Sequence, residues 1–359
     1  MLKFGQMPGI YGAGGAAASR LVPFEFAPNP GNLGAKKFMP PHLPARAPLV
    51  VVLHGCTQTP EGYDRGSAWT KLAARSGFAV IFPEQLRTNN PNGCFNWFEP
   101  GDMRRGQGEP ASIKAMIDQA VADHDLDPAR IYITGLSAGA AMAGVMLATY
   151  PETFAGGGLI AGLPYGVATS MAAALSRMRS RGRESDAQLA DVVRQASAHE
   201  GPWPPISVWH GTADATVNAG NADATVAQWL GVHGLTAVVP VEAKRNGHMH
   251  RAWHDASGKV RVEEYQLTGM GHGTPLDTAV VENGESAGAF LLDVGLSSTQ
   301  GLALAWGLID KATMADIAVD PDDVPPAFTD RSWGSGLVGV NIDVQKTIED
   351  ALRSAGLMR

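Results

Sequence analysis

Arg130-Ile131-Tyr132-Ile133-Thr134-Gly135-Leu136-Ser137-Ala138-Gly139 is the most informative run of this chain. A short run of β-branched and aromatic residues leads into Gly-x-Ser-x-Gly, and the helix-prone run Ala138 to Ala148 follows at once. Strand, tight turn, helix is the setting in which a serine is held strained with its Oγ exposed. The flanking glycines have a steric reason, since a Cβ at either position would strike the neighbouring strand or helix. In a chain with 43 glycines the five letters alone can arise by chance. The strand before and the helix after are what make Ser137 a candidate nucleophile.

An acid and a histidine should then follow, in that chain order. Ile206-Ser207-Val208-Trp209-His210-Gly211 reads as a buried strand, and Asp214 lies on the loop leaving its C-terminal end. Ligand and catalytic groups collect at that end of strands in open α/β sheets. Asp223 and Asp277 are weaker rivals for the acid. Val260 to Leu267 alternates as a strand does, and His272 follows between Gly271 and Gly273. A serine hydroxyl is a weak nucleophile, so a base must take its proton as attack begins. The same imidazolium then protonates the leaving alcohol. Asp214 would hold the His272 tautomer and stabilise the imidazolium. For each residue alone a bland reading remains: a loop or cap aspartate, a surface histidine.

Upstream, Pro48 to Leu53 is a clean buried strand followed by His54-Gly55-Cys56-Thr57-Gln58. This turn is where such a fold supplies one backbone N–H to an oxyanion. Cys56 N–H is the expected first donor and Ala138 N–H the second, and preorganised donors of this kind contribute several kcal/mol. His54 is expected to be structural. The second cysteine, Cys94, opens a loop expected at the same end of the sheet. A Cys56–Cys94 disulfide and a pair of buried free thiols both remain open.

Leu53-His54-Gly55-Cys56-Thr57-Gln58, Phe82-Pro83-Glu84-Gln85, Cys94-Phe95-Asn96-Trp97-Phe98, Gly135 to Gly139, Trp209 to Asp214 and Gly271-His272 together resemble the catalytic domain of poly(3-hydroxybutyrate) depolymerases. These are α/β-hydrolases near the feruloyl and acetylxylan esterases. The resemblance covers about residues 30–310. It implies an α/β-hydrolase fold and a serine esterase cleaving short-chain polyhydroxyalkanoates or their oligomers through an acyl-enzyme. It carries the nucleophile to Ser137, the acid to Asp214, the base to His272 and an oxyanion donor to Cys56. It also favours Trp97 and Phe98 as the wall of an apolar substrate pocket. The N-terminus lacks the long apolar core of a secretion signal, and no linker with a polymer-binding domain follows. The expectation is a cytoplasmic enzyme on amorphous polymer or oligomers, or a secreted one if the N-terminus is trimmed. The runner-up substrate class is feruloyl or acetyl esters of carbohydrate. A non-catalytic granule protein on a retired hydrolase fold is a distant alternative, since retired folds tend to lose a triad member and here all three remain.

Composition agrees with a globular enzyme, with 18% charged and 45% hydrophobic residues. A net charge of −7 with no basic stripe argues against nucleic acid as a partner. No apolar run is long enough to span a bilayer. The chemistry asks for no cofactor and no metal. His248, His250 and His254 cluster, but no Glu sits in the helical metal-site pattern, and on a strand the three would merely share a face.

Alternation of strands and helices predicts a mostly parallel central sheet flanked by helices. Residues 1–45 read as an irregular lead-in with an early edge strand near 20–26, and 46–310 as the catalytic domain. Strands are expected at 48–54, 78–83, 157–161, 206–210 and 236–242, with a hairpin over 250–267. Helices are expected near 66–76, 110–125, 218–233, 285–292 and 297–308, with a small helical cap around 166–200. Residues 311–359 read as a C-terminal extension on or near the catalytic domain, ending in a helix over 344–355. Oligomeric state is not legible.

Overall fold

The computed structural model describes residues 19–179 and 184–310. The first residues of the lead-in and the whole 311–359 extension lie outside the described residues. The strands are β1 (Val22–Pro23), β2 (Gly34–Phe38), β3 (Leu49–Leu53), β4 (Ala79–Glu84), β5 (Ile131–Leu136), β6 (Gly156–Ile160), β7 (Ile206–Gly211), β8 (Val241–Arg245), β9 (His248–His254), β10 (Val260–Leu267), β11 (Thr274–Leu276) and β12 (Leu291–Asp293). The helices are α1 (Pro60–Ser67), α2 (Trp69–Ser76), α3 (Gly108–His124), α4 (Ala138–Thr149), α5 (Met171–Arg179), α6 (Asp186–Arg194), α7 (Gly220–His233) and α8 (Ser298–Ala305).

Ten strands form one sheet in the order β1-β2-β4-β3-β5-β6-β7-β10-β9-β8. β4, β3, β5, β6, β7 and β10 run parallel. The two edges are antiparallel, β1–β2–β4 on one side and β10–β9–β8 on the other. This is the α/β-hydrolase arrangement. β3 is buried throughout, as a strand covered on both faces must be. Its alternate residues feed opposite cores: Leu49, Val51 and Leu53 join the cluster beneath α3, α4 and α7. Val50 and Val52 join the one that holds Trp69, Leu72 and Leu302, beneath α2 and α8. α4 is buried all round, and its Ala, Gly and Met composition lets it lie close against the sheet. The chain reverses its order of laying strands between β4-β3 and β5. The loops after β3 and β5 flank that switch point, where such sheets bind ligands.

The expected helix near 66–76 is two helices. Ala68 takes a left-handed φ of 60° between α1 and α2, and the Asp64 carboxylate accepts from Thr70 N and Thr70 Oγ1. The strand expected at 236–242 forms later, as β8. Propensity drew it to Thr236–Val239, but register is set by the Asn246-Gly247 turn, with φ of 47° and 85°, that joins β8 to β9. Val239 is left exposed. No helix forms over 285–292; that segment turns at Gly284 and Phe290, both at positive φ, and ends in β12 paired with β11. The helices expected around 166–200 are α5 and α6. α6 packs on α7, with Ala190 against Gly231, while Asn218 N donates to Met178 O at the end of α5. Among the described residues no helix is long and apolar enough to cross a membrane.

Candidate active site

Ser137 sits between β5 and α4 at φ 58°, ψ −117°. That is a conformation an L-residue adopts only when its surroundings impose it. The surroundings do so. A Cβ on Gly135 would lie 2.5 Å from the Gly139 carbonyl carbon. One on Gly139 would lie 2.4 Å from Leu53 O and 2.5 Å from His54 O. Strand and helix touch backbone to backbone, and Ser137 N is tied to Ile160 O at 2.8 Å. Ala138 N–H opens α4 as one of the donors a helix start leaves without an internal acceptor.

Asp214 and His272 meet across the ends of β7 and β10, with His272 Nδ1 donating to Asp214 Oδ2 at 2.7 Å. A carboxylate only accepts, so Nδ1 carries a proton and Nε2 is the ring nitrogen left for another partner. Asp214 Oδ1 accepts from Thr216 N at 2.9 Å and Val217 N at 2.8 Å. A second histidine, His210 at the end of β7, brings Nε2 to 3.3 Å from Asp214 Oδ2 and 2.9 Å from Val217 O. The peptide oxygen can only accept, which places a proton on that nitrogen as well. Burial pushes the Asp214 carboxyl up, but the hydrogen bonds from His210 and His272 outweigh it and hold it well below the usual carboxylate range. Asp214 therefore stays an anion beside His272. Of the three candidate acids it is Asp214, not Asp223 or Asp277, whose carboxylate is hydrogen-bonded to His272. Neither Ser137 Oγ nor His272 Nε2 has a hydrogen-bond partner among the described residues. Catalytic hydrogen bonds are commonly open in this way until substrate arrives.

The loop after β3 is held from two sides. Cys56 and Cys94 form a disulfide with S–S 2.11 Å. Thr57 N donates to Asn92 O at 2.7 Å. Gly55 N donates to Gln58 Oε1 at 2.8 Å and Gln58 N returns to Gly55 O at 3.3 Å. Of residues 55–58, Cys56 alone keeps its N–H without a hydrogen-bonded acceptor among the described residues. His54 is fully buried, its Nδ1 on Gly55 O and its Nε2 accepting from Gln85 N. Burial lowers its pKa to about 4, so it is neutral. It orders the loop, as expected from the sequence.

Beneath the Cys94 loop lies a buried polar chain. The Glu109 carboxyl group, at the start of α3, accepts from Gln85 Nε2 and from Asn96 N at 2.9 Å. Asn90 links onward to Asn96 and to Asn92 N. Burial, then the charge of Asp102, raise the Glu109 pKa to about 8. Trp97 and Phe98 pack edge to face at 5.4 Å in the core beneath α3 and α4, with 5% and 4% of their surface exposed. Each has at most a narrow edge to offer a ligand.

The histidines on β9 have local duties. His250 pairs with Glu263 at 3.0 Å, and His248 binds Thr268 N and Val294 O. The sequence reading missed three residues around the site: His210, Glu109 and Phe290, whose ring meets His272 edge-on at 6.0 Å. His210 stood beside the Asp214 motif in plain view, but nothing in the spacing shows that its ring folds back on the acid.

Residues 35–254 match the family model described as esterase PHB depolymerase. Poly(3-hydroxyalkanoate) depolymerase C of Paucimonas lemoignei is 47% identical over 286 residues, covering 79% of this chain and 69% of that protein. Acetylxylan esterase A of Emericella nidulans is 31% identical over 257 residues, 69% of this chain and 83% of the relative. Among solved structures, an acetyl xylan esterase from Aspergillus awamori superposes with a TM-score of 0.68 over 80% of this chain and 99% of its own. At 24% identity that likeness speaks to fold alone. The chain is a member of the PHB depolymerase esterase family.

Proposed function

We propose that this chain hydrolyses the ester bonds of short-chain polyhydroxyalkanoates such as poly(3-hydroxybutyrate), or of their oligomers. The observation that carries the mechanism is the Asp214–His272 pair at 2.7 Å, which leaves Nε2 as the base, beside the elbow that holds Ser137 at φ 58°. The substrate class rests on the Paucimonas lemoignei relative. Ser137 Oγ attacks the ester carbonyl while His272 Nε2 takes its proton. The tetrahedral oxyanion is met by the N–H groups of Cys56 and Ala138, whose removal one at a time should cost about 10²-fold or more in kcat. His272 then protonates the leaving alcohol, and a water repeats the sequence in reverse to free the acid. Asp214 remains ionised throughout and holds the imidazole. Trp97 and Phe98 support the pocket wall from behind and offer their exposed edges to the acyl chain.

A second reading, a carbohydrate acetyl or feruloyl esterase, is favoured by the Emericella nidulans relative. The mechanism would be unchanged. The disulfide supports an oxidising working compartment, which weighs against the cytoplasmic expectation.

The test is release of 3-hydroxybutyrate from amorphous poly(3-hydroxybutyrate), with p-nitrophenyl butyrate and methyl ferulate alongside and Ser137→Ala as control. Polymer hydrolysis abolished in the variant is the expected result. Activity on methyl ferulate with none on polymer or oligomers would move the substrate to the second reading. Hydrolysis that survives Ser137→Ala would overturn the nucleophile.

A further inference from the structure

Phe290 is a bulky residue at φ 60°, in the left-handed region that side chains other than those of Gly and Asn rarely occupy. Its backbone is over-determined. Thr274 N donates to Phe290 O at 2.8 Å, and Leu291 N turns back to Gly288 O at 3.1 Å. β11 runs so close that a Cβ on Gly273 would lie 2.9 Å from the Phe290 carbonyl. Glycine is the usual choice at such a φ. Here a phenylalanine stands there, and its ring lies across His272 at 6.0 Å between centroids and 79° between planes. The residue is only half-buried, and the exposed residues before it, Ser286 to Ala289, are small. Strain of this kind persists where the surrounding structure enforces it, and a partly exposed phenylalanine against the candidate general base asks for a reason beyond packing.

We propose that Phe290 is a specificity-determining residue that forms the wall for the alcohol half of the ester. The argument rests on the proposed function, in which His272 hands its proton to the leaving oxygen. Whatever carries that oxygen must pass beside the imidazole. Phe290 is the aromatic side chain in ring contact with the imidazole, and part of its surface is open to a ligand. An apolar ring there favours an alcohol that is itself a hydroxyacyl ester, with methyl and methylene groups to lay against it, over a small alcohol such as methanol. The ring contributes to acylation, while the acyl-enzyme left behind no longer touches it.

The experiment compares two esters with one acyl group and different alcohols: methyl 3-hydroxybutyrate, and the dimer in which the alcohol is a second methyl 3-hydroxybutyrate. Phe290→Ala and Phe290→Leu are measured beside wild type. Phe290→Gly suits the left-handed φ and so guards against misfolding, which thermal melting checks. The ratio of kcat/KM for the dimer to that for the methyl ester is expected to fall about tenfold in Phe290→Ala and Phe290→Gly, the scale set by losing apolar contact in a pocket. Phe290→Leu should restore part of it. The acid limb of the pH profile should stay in place, since the ring shapes selectivity and not the protonation of His272. An unchanged ratio, or an equal loss on both esters with a shifted pH limb, overturns the proposal and leaves the esterase reading intact. Wild type that cleaves neither ester, or cleaves them equally well as Ser137→Ala, overturns both.

Discussion

Breaking the Cys56–Cys94 bond should cost stability and activity by separate amounts, and the structure sizes both. The two cysteines are 38 residues apart in sequence. Closing a loop of that length removes unfolded-state entropy worth about 4 kcal/mol. For a domain of this size that corresponds to a fall in Tm of roughly 8 °C. The effect on catalysis is smaller than loss of a whole oxyanion donor, because the loop keeps a second tether. Thr57 N would still donate to Asn92 O, and Gln58 would still bracket Gly55. Thr57 itself sits at φ 65°, however, and relaxes once the clamp is cut. We expect kcat on p-nitrophenyl butyrate to drop about tenfold, against the 10²- to 10³-fold of a deleted donor. Cys94→Ser is the variant of choice because it leaves Cys56 and its N–H in place. Urea unfolding and thermal melting measure the first quantity, initial rates the second, and wild type treated with reductant should reproduce both. If Cys94→Ser melts within about 2 °C of wild type and keeps full kcat, the bond neither staples the fold nor sets the proposed oxyanion loop, and the reasoning fails.

Glu109→Gln should flatten the dependence of stability on pH. The Glu109 pKa is raised from 4.5 to about 8, so the neutral acid is the form the fold prefers. Its stabilising effect is complete below about pH 4.5 and is lost as pH rises through about 8. That rise sets a ceiling of about 5 kcal/mol; with both carboxyl oxygens accepting hydrogen bonds, about 2 kcal/mol is the expected extra loss in wild type between pH 5 and pH 9. Parallel urea-derived stabilities for the two proteins across that range would contradict it. Gly139→Ala places a methyl against two carbonyl oxygens that belong to backbone, so it should destabilise by about 3 kcal/mol and abolish esterase activity in whatever folds; a fully active, equally stable variant would show that the elbow is looser than its geometry. His210→Phe removes one donor from Asp214 and should cost about tenfold in kcat/KM, with the acid limb of the profile moving to higher pH as the carboxyl binds the His272 proton more tightly. A profile superimposable on wild type would confine His210 to packing.

Much of this site could be read locally. Gly135, Ser137 and Gly139 are neighbours in sequence and in space, and the need for a bare backbone at both glycines is a property of any strand turning at once into a helix. Asp214 and His272 were legible because each follows a strand, and parallel strands deliver their following loops to one end of the sheet. The turn Asn246-Gly247 is equally legible as a hairpin signal, and it sets the β8–β9 register against the β propensity of Thr236–Val239. The absence of a helix over 285–292 was not legible in the same way. Glu285 to Leu292 has helix-compatible letters, and what overrides them is pairing of Leu291–Asp293 with Thr274–Leu276.

The class of fold, the strand-end positions of Ser137, Asp214 and His272, and the loop that presents Cys56 can all be read from the chain alone, because each follows from local sterics and from the alternation of apolar strands with helices. That Cys56 and Cys94 are bonded, that His210 shares the carboxylate with His272, that Glu109 is buried as an acid, and that Phe290 lies on the imidazole emerges when the chain folds. Those facts depend on distance between residues far apart in the chain and on the water excluded around them. Neither is written in any single stretch of sequence; both come into being when the sheet closes its layers and the low-dielectric interior shifts protons and fixes partners.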